Sequence, residues 1–288
     1  MTDQIPGRRE STAVPTTGPA GVPAIACTAL VYSFGSTRAV DGIDLEVEAG
    51  SIYGLLGPNG AGKTTAIRAI TTLLPVPPGM VGVFGNDVAK RRMEVRRLLG
   101  YVPQQLSADS GLTGRENVAM FARLFDVPRR QRGERVTAAL DAVGLREAAD
   151  RLAKTYSGGM VRRLELAQAL VSSPRLLILD EPTIGLDPIA RDSVWERIEE
   201  VRGATGMTVF VTTHYMDEAD QYCDRISLMH RGTIRATGSP QELKASLPKG
   251  SGTLEDVFRH YTGDTLEEPT SGEFRNVRAT RSTAARLR

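Results

Sequence analysis

Residues 51–65 read SIYGLLGPNGAGKTT, and this stretch decides the fold. The run 51–56 is mostly apolar and stops at Gly57, which is typical of a short buried strand. The loop then fits the pattern GxxxxGK[ST], and AIRAITTLL at 66–74 has helical character. Glycines in such a loop let backbone N–H groups curl around a polyanion, and the following helix adds its positive end. Strand, loop and helix together predict a phosphate-binding loop rather than an ordinary glycine-rich turn.

The loop also predicts how a nucleotide would be held. Lys63 can reach the β- and γ-phosphates, and the Thr64 hydroxyl can ligate Mg²⁺. The expected binding residues are Gly57, Pro58, Asn59, Gly60, Ala61, Gly62, Lys63, Thr64 and Thr65.

A second strand-like run, LLILD at 176–180, ends in two adjacent carboxylates, Asp180 and Glu181. Acidic groups at the end of a buried strand are costly unless a cation lies nearby. Beside a phosphate-binding loop, Asp180 is predicted to hold Mg²⁺, directly or through water. Glu181 is expected to point the other way along the pleat and to polarise an attacking water.

Strand-like and helix-like runs alternate along the middle of the chain. MTVFVTT at 207–213 is another continuous apolar run, and such runs suit a parallel sheet that is covered on both faces. Residues 43–47 alternate apolar and acidic side chains, which predicts a half-exposed strand. RISLMH at 225–230 and TIRATG at 233–238, joined by a glycine turn, predict a late hairpin.

The segment 105–156 breaks this alternation and is expected to be a wholly helical insertion. Thr113 followed by Glu116 forms a capping-box pattern for a helix that runs to about Phe125. A second helix is expected over 129–142. Residues 1–23 are rich in Pro, Thr and Gly and are expected to be disordered. Residues 246–288 are expected to hold a terminal helix and a flexible tail, which carries five Arg and no acid over 275–288.

Composition excludes several classes of protein. The 288 residues are 41% hydrophobic and 24% charged, which rules out wholesale disorder, collagen-like repeats and a disulfide scaffold. Net charge is only +2, so nucleic acid is not an expected partner. The two cysteines lie far apart and are expected to be reduced thiols. The sequence has no apolar run of the length that crosses a bilayer, so we expect a chain in the cytoplasm.

The most specific stretch follows the helical segment: residues 156–160 read YSGGM. This stretch resembles the signature loop of the nucleotide-binding subunit of ATP-binding cassette (ABC) transporters, LSGGQ in its commonest form, with Tyr156 and Met160 as departures. The resemblance covers about residues 24–245. It implies an α/β fold: a RecA-like P-loop NTPase core with a mostly parallel sheet, an antiparallel β subdomain and an inserted helical subdomain.

Four further positions match family motifs one by one. Tyr32, in VYSFG, matches the aromatic that stacks on adenine. Gln104, in GYVPQ, resembles the lone glutamine that touches Mg²⁺ or water and relays motion to the membrane domain. Asp187, in GLDP, resembles the loop that crosses the dimer interface. His214, in VTTHYMDEAD, resembles the switch histidine, which donates to the γ-phosphate and orients Glu181.

The resemblance also implies an assembly and a reaction. In the family the signature loop, here Ser157, Gly158, Gly159 and Met160, closes over the γ-phosphate held by a second subunit. A head-to-tail homodimer with two sandwiched ATP molecules is therefore implied. The implied activity is ATP hydrolysis, with Glu181, His214 and Lys63 as catalytic residues and Mg²⁺ held by Thr64, Gln104 and Asp180.

Two local matches point to the cargo. After YSGGM, the residues Arg162, Arg163, Leu164 and Glu165 are similar to drug exporter ATPases of the bacterial daunorubicin-resistance type, as is TLEDVF at 253–258. Such subunits pair with a separately encoded polytopic permease at the cytoplasmic face of the membrane, which implies drug or antibiotic efflux.

Other readings stay open at this point. Export of a polysaccharide, a lipid or a peptide fits the same motifs, and so does an importer ATPase. A soluble ABC ATPase of translation or DNA repair usually carries two cassettes or a long coiled coil, and this chain has one phosphate loop and no heptad run.

Overall fold

The computed structural model describes residues 21–248 and 252–263. Within them the chain forms ten strands, nine α-helices and a 3-10 helix at Ala153–Thr155. The strands are β1 (Ile25–Phe34), β2 (Thr37–Val47), β3 (Ile52–Leu56), β4 (Val81–Val83), β5 (Asn86–Asp87), β6 (Leu99–Val102), β7 (Leu176–Asp180), β8 (Thr208–Thr213), β9 (Arg225–His230) and β10 (Thr233–Gly238). The helices are α1 (Lys63–Ile70), α2 (Arg92–Leu98), α3 (Gly114–Leu124), α4 (Arg132–Ala142), α5 (Gly158–Leu170), α6 (Pro188–Thr205), α7 (Met216–Tyr222), α8 (Pro240–Ala245) and α9 (Leu254–Thr262).

A six-stranded sheet forms the centre of the fold, in the order β10-β9-β3-β8-β7-β6. Each strand from β9 through β3, β8 and β7 to β6 pairs in parallel with its neighbour. Strand β10 lies at the edge and pairs antiparallel with β9. Every residue of β3, β7 and β8 is buried, as continuous apolar runs predict for a sheet covered on both faces. The late hairpin of the sequence is confirmed as β9 and β10.

The two faces of this sheet bury two different cores. On β3, Ile52 and Leu56 pack into a core shared with the helices α3 to α9. Tyr53 and Leu55 pack into a second core, shared with α1 and with an antiparallel sheet of order β2-β1-β4-β5. Successive side chains along a strand point to opposite faces, so one strand serves both cores. On β2, the alternation of buried and exposed residues over 43–47 is confirmed.

The expected helical insertion over 105–156 is confirmed in that its named elements are α3, α4 and the 3-10 helix, but it is not helical throughout. The capping box of Thr113 and Glu116 starts α3 as expected, but α4 begins at Arg132 rather than near 129. Pro128 lies before α4, and Gly144, with φ of +64°, lies just beyond it. Proline cannot extend a preceding helix and a left-handed glycine ends one, so loops separate the helices.

The ends of the chain are described in part. Residues 1–20, most of the expected disordered N-terminal stretch, lie outside the described residues, as do 249–251 and 264–288 with the arginine-rich tail. The helix expected near 253–258 is present as α9, which starts at a capping box of Thr253 and Asp256. Cys27 and Cys223 are free and buried, and burial raises the pKa of Cys27 to about 12.

Candidate functional site

Four loops meet at one edge of the central sheet. The phosphate-binding loop follows β3, His214 follows β8, Glu181 follows β7 and Gln104 lies two residues beyond β6. These four strands are neighbours and parallel, so their carboxyl ends lie side by side. Ligands of open α/β sheets bind at the carboxyl ends of strands. The topology therefore brings together residues that lie up to 157 positions apart along the chain.

The phosphate-binding loop leads directly into α1, which begins at Lys63, three residues earlier than the sequence pattern suggested. Gly62 precedes the helix with φ of +109°, a conformation that side chains disfavour. A Cβ at Gly62 would also collide with the carbonyl oxygen of Ala39, and one at Gly57 with that of Met229. The two glycines are required by the close approach of other backbone segments as well as by the turn.

A cavity of about 330 Å³ opens in front of this loop. Its lining brings Gln104 and Glu181 to the loop, as the sequence matches implied, and adds Ala39 from β2, which sequence reasoning missed. The sequence does not mark Ala39 as a site residue, because alanine has no functional group. It lines the cavity only because of its position on β2. The lining residues are Ala39, Pro58, Asn59, Gly60, Ala61, Gly62, Lys63, Thr64, Thr65, Gln104 and Glu181.

Lys63 is the cation of the site, and its side chain is almost fully buried. Its ammonium donates to the carbonyl oxygens of Gly57, at 2.7 Å, and of Pro58, at 3.3 Å. It also lies 3.2 Å from Oε1 of Glu181. Buried charges are stable only when they are paired and hydrogen-bonded, and here the loop carbonyls and Glu181 supply those contacts to the ammonium.

Glu181 is the most connected acid of the site. Its Oε2 accepts a 3.0 Å hydrogen bond from Nε2 of Gln104 and lies 3.6 Å from Nδ1 of His214. Burial by itself would raise the pKa of this carboxyl, but His214 and the Lys63 ammonium outweigh it and hold the pKa below the ordinary 4.5. The carboxylate is therefore ionised at neutral pH, as a base must be.

The expected reason for the direction of Glu181 is wrong. Strand β7 ends at Asp180, and Glu181 has φ of +50°, in the left-handed region. The pleat therefore no longer dictates where its side chain points. A non-glycine residue in this region is strained, and such strain is common at functional sites.

Asp180 lies beneath the loop and is buried. Its Oδ1 accepts a 2.7 Å hydrogen bond from the hydroxyl of Thr212. Burial raises the pKa of Asp180, while hydrogen bonds from Thr212 and Thr64 and the charge of Lys63 oppose that rise. A buried carboxylate beside the Thr64 hydroxyl is an all-oxygen donor pair, which suits Mg²⁺.

His214 has no hydrogen-bond partner for either ring nitrogen within the described part of the chain, although both nitrogens are buried. Its ring packs against Tyr215, with centroids 4.2 Å apart, and the guanidinium of Arg191 lies 4.2 Å from the Tyr215 ring centroid. A buried, unpartnered imidazole next to a base can donate to an oxygen that arrives there.

Tyr32 lies outside the lining of the cavity but close to it. It is on β1 and pairs with Val40, the neighbour of the lining residue Ala39. Its ring makes an edge contact with Phe34, at 5.1 Å between centroids, and Phe34 is half exposed. Sequence reasoning singled out Tyr32 alone, whereas the structure pairs it with a second aromatic ring.

The signature loop and Asp187 form a separate surface. Ser157 caps α5 by accepting from the Met160 N–H, at 3.3 Å, and Asp187 caps α6 by accepting from the Ala190 N–H, at 2.9 Å. A Cβ at Gly159 would lie 3.0 Å from that of Ala190, so the two helix starts pack closely. Ser157, Gly158 and Asp187 are exposed, and among described residues the cavity lining contains none of them.

Comparisons with known proteins agree with this arrangement. The family model described as ABC transporter matches residues 40–184. The daunorubicin/doxorubicin resistance ATP-binding protein DrrA of Streptomyces peucetius is 49% identical over 231 residues, which cover 80% of this chain and 69% of that protein. The Nod factor export ATP-binding protein I of Rhizobium meliloti is 39% identical over 255 residues, which cover 84% and 76%.

Solved structures show the same architecture. An ATP-binding subunit of an ABC transporter superposes with a TM-score of 0.73 at 25% identity, covering 83% of this chain and 99% of that one. The cbiO1 protein of Clostridium perfringens, part of the ABC transporter complex cbiONQ, superposes with a TM-score of 0.71 at 28% identity, covering 78% and 91%.

Proposed function

The chain belongs to the ABC transporter family and is an ATPase, and on that premise we propose that it powers export of drug-like molecules through a separate membrane permease. The observation that carries the site assignment is the meeting of Lys63, Gln104 and Glu181 at the phosphate-binding loop. A cation, an amide and an ionised carboxylate around one cavity are what in-line attack of water on a γ-phosphate requires.

In the proposed mechanism Glu181 is the general base. It takes a proton from water while the water oxygen bonds to the γ-phosphorus and the bond to ADP breaks. Lys63 and His214 offset the charge that develops on the phosphoryl oxygens. A phosphate oxygen competes with Glu181 for the Lys63 ammonium, so ATP binding would release Oε1 of Glu181 to accept the proton.

Mg²⁺ fits the donors present. The candidate ligands are Thr64, Asp180 and Gln104, which would each coordinate through a side-chain oxygen, and the nucleotide would add phosphate oxygens. Within the described residues there is no cluster of three or more His, Cys, Asp or Glu that would hold a metal by itself. When bound with ATP, Mg²⁺ would neutralise charge on the β- and γ-phosphates.

We further propose that two copies of the chain form a head-to-tail homodimer around two ATP molecules. Ser157, Gly158, Gly159 and Met160 would then contact the γ-phosphate of the partner subunit, and Asp187 would lie at the interface. The exposure of this surface supports the assignment, since Ile189 beside Asp187 is 82% exposed. Tyr32 would stack on the adenine of its own subunit.

Export is supported by the relatives. The daunorubicin/doxorubicin resistance protein and the Nod factor export protein are both named for resistance or export. Within the described residues, no helix has the length and apolar character that crossing a bilayer requires. In the proposal the cassette 24–245 docks on a polytopic permease at the cytoplasmic face, and the insertion 105–156 passes motion to it from Gln104.

The catalytic assignment is tested by Glu181→Gln. We expect ATP affinity within about 3-fold of wild type and turnover lowered at least roughly 100-fold, because the amide cannot take the proton. Glu199→Gln, an exposed change on α6, is the matched control and should leave both quantities unchanged. Unchanged steady-state hydrolysis in Glu181→Gln would refute the base assignment.

The export assignment needs a different experiment. The proposal predicts that a neighbouring gene encodes a polytopic membrane protein, with which the chain would be co-expressed and purified from membranes. We expect the two to co-purify and a daunorubicin-like drug to stimulate the ATPase. Failure to co-purify with any membrane protein would contradict export and would leave the ATPase assignment standing.

A further inference from the structure

Helix α5 carries a stripe of buried polar residues that the reaction described above does not use. Arg162, Glu165 and Gln168 follow one another at intervals of three, so they share one face of the helix. Each is at most 5% exposed, although the rest of the helix beyond Arg163 is apolar. Buried charged groups are costly unless something specific satisfies them.

What satisfies Arg162 is the loop that carries Gln104. Its guanidinium donates through Nη1 to the carbonyl oxygen of Pro103, at 3.1 Å, and through Nη2 to that of Gln104, at 2.6 Å. Nη1 also donates to Oε2 of Glu165, at 2.9 Å. A planar guanidinium can hold two carbonyls and a carboxylate in one fixed geometry, which a lysine ammonium does not reproduce.

Glu165 and Gln168 hold the next part of the same loop. The other carboxylate oxygen of Glu165, Oε1, accepts from the backbone N–H of Ser107 and, at 3.1 Å, from its hydroxyl. Gln168 donates to Oδ1 of Asn117, at 3.2 Å, and that oxygen also accepts from the N–H of Asp109. The stripe therefore fixes the loop 103–109 at its start, middle and end.

The loop is in turn connected to the base. The side chain of Gln104 donates to Glu181 at 3.0 Å, while its backbone carbonyl is held by Arg162. At its other end α5 begins at the cap residue Ser157. Helices rise by 1.5 Å per residue, so Arg162 lies about 8 Å along the axis from that cap.

We propose that Arg162 and Glu165 form a clamp, defined as this ion pair with its contacts to 103–107, that couples the position of the signature helix to the contact between Gln104 and Glu181. Both are positioning residues, since neither touches the cavity. The proposal rests on the proposed function: a helix whose start contacts the partner's ATP would set the base that acts on its own ATP.

The stability of the fold alone does not require a buried ion pair at this place. Replacing a buried ion pair by apolar groups of similar volume is often neutral or stabilising, so such pairs are weak evidence for a stabilising role. Here both members instead direct their remaining hydrogen bonds to a single loop. A role in positioning this loop explains why Arg162 and Glu165 form hydrogen bonds with the backbone of 103–107.

The test is Arg162→Lys, which keeps the charge beside Glu165 and loses the fork that reaches Gln104. We expect kcat for ATP to fall roughly 10-fold and KM to stay within about 2-fold, because the phosphate-binding loop is untouched. Arg163→Lys is the matched control: Arg163 donates to the carbonyl of Val143, away from the glutamine loop. It should match wild type in both constants.

A double-mutant cycle separates positioning from general stability. If the clamp acts through Gln104, then Arg162→Lys combined with Gln104→Ala should be no slower than Gln104→Ala alone. A loss that multiplies with that of Gln104→Ala would overturn the proposal. Glu165→Gln, which keeps the shape and removes the charge, gives the same comparison if Arg162→Lys does not fold.

The failure of the clamp and the failure of the proposed function are distinguishable. A wild-type chain that does not hydrolyse ATP, or a Glu181→Gln variant that does so normally, contradicts the function itself. A wild-type chain that hydrolyses ATP, together with an Arg162→Lys variant that has wild-type kcat, contradicts the clamp alone.

Discussion

The chain uses a glycine-rich loop before a helix twice, and the two copies differ in what surrounds them. Helix α1 starts at a buried lysine in front of a cavity that Gln104 and Glu181 complete. Helix α5 starts at exposed Ser157, whose hydroxyl already accepts from its own helix. The start of α1 has a cation, Lys63, and a nearby carboxylate, Glu181. The start of α5 has only backbone N–H groups and a hydroxyl. In the proposed dimer the second helix start is therefore half of a site, which the ATP bound to the partner subunit would complete.

The two helix starts share one electrostatic feature. Neither α1 nor α5 has an acidic residue in its first turn. The helices α3, α8 and α9 do have acidic residues there, and one of them closes a capping box in each case. Acidic residues are favoured at helix N-termini because of the helix dipole, but they would repel a phosphate. Their absence from α1 and α5 leaves both N-termini suited to an anion.

Of the substitutions that distinguish the two helix starts, Lys63→Met at the start of α1 is expected to have the largest effect. Removing the ammonium takes away the charge-assisted contact to phosphate and leaves Glu181 without its cation. We expect ATP affinity to fall by roughly 100-fold, equivalent to about 3 kcal/mol, as measured by titration calorimetry. Arg68→Met, an exposed change on the same helix, should bind ATP like wild type. Wild-type affinity in Lys63→Met would place the nucleotide elsewhere.

A smaller effect is expected at the second helix start for Ser157→Asp. Aspartate caps a helix as well as serine does, so the fold should keep its thermal stability, but the new charge would face the partner's γ-phosphate. We expect kcat to fall roughly 30-fold with ATP affinity of the single chain unchanged, because the effect requires the closed dimer. Ser157→Asn, which caps without a charge, is the matched control.

A mixing experiment decides whether that effect acts between subunits. We expect Lys63→Met and Ser157→Asp chains to be nearly inactive alone, whereas a heterodimer would join the intact phosphate-binding loop of one chain to the intact signature loop of the other. Equal mixing should restore about a quarter of the wild-type rate, since half of the dimers would hold one complete site. No recovery after verified subunit exchange would show that the signature does not act in trans.

The sequence predicted the parts of the fold whose local chemistry is unambiguous. The glycine loop, the buried strand ending at Asp180 and the capping box of Thr113 each carry their signal within a few residues. The convergence of Gln104 and His214 on Glu181 follows only from the strand order, which local patterns do not encode. The family resemblance implied that His214 orients Glu181, but it placed Gln104 at Mg²⁺ or water, and the hydrogen bond from Gln104 to Glu181 was not predicted.

The features that escaped prediction depend on contacts between distant segments. Ala39 lines the cavity because β2 passes in front of the loop, and Arg162 is buried because 103–107 folds over α5. An arginine in a helix is usually taken as a solvated residue. The spacing 162, 165 and 168 was the available signal, since three polar residues on one face of a helix that is otherwise apolar beyond Arg163 need a shared partner.

The smallest effect on kcat is expected for His214→Gln. This substitution tests how the cavity in front of α1 controls the pKa of Glu181. His214 and Lys63 together hold the pKa of Glu181 below 4.5 against the opposing effect of burial. In the proposed mechanism hydrolysis requires ionised Glu181 and is lost as pH falls through that pKa, so removing His214 should move the acidic limb of kcat to higher pH. We expect that shift together with a roughly 10-fold lower plateau, measured from pH 8 downwards. His260→Gln, an exposed change on α9, should leave the limb in place. An acidic limb that stays in place or moves to lower pH in His214→Gln would mean that His214 does not tune the base, and Glu181 would then depend on Lys63 alone.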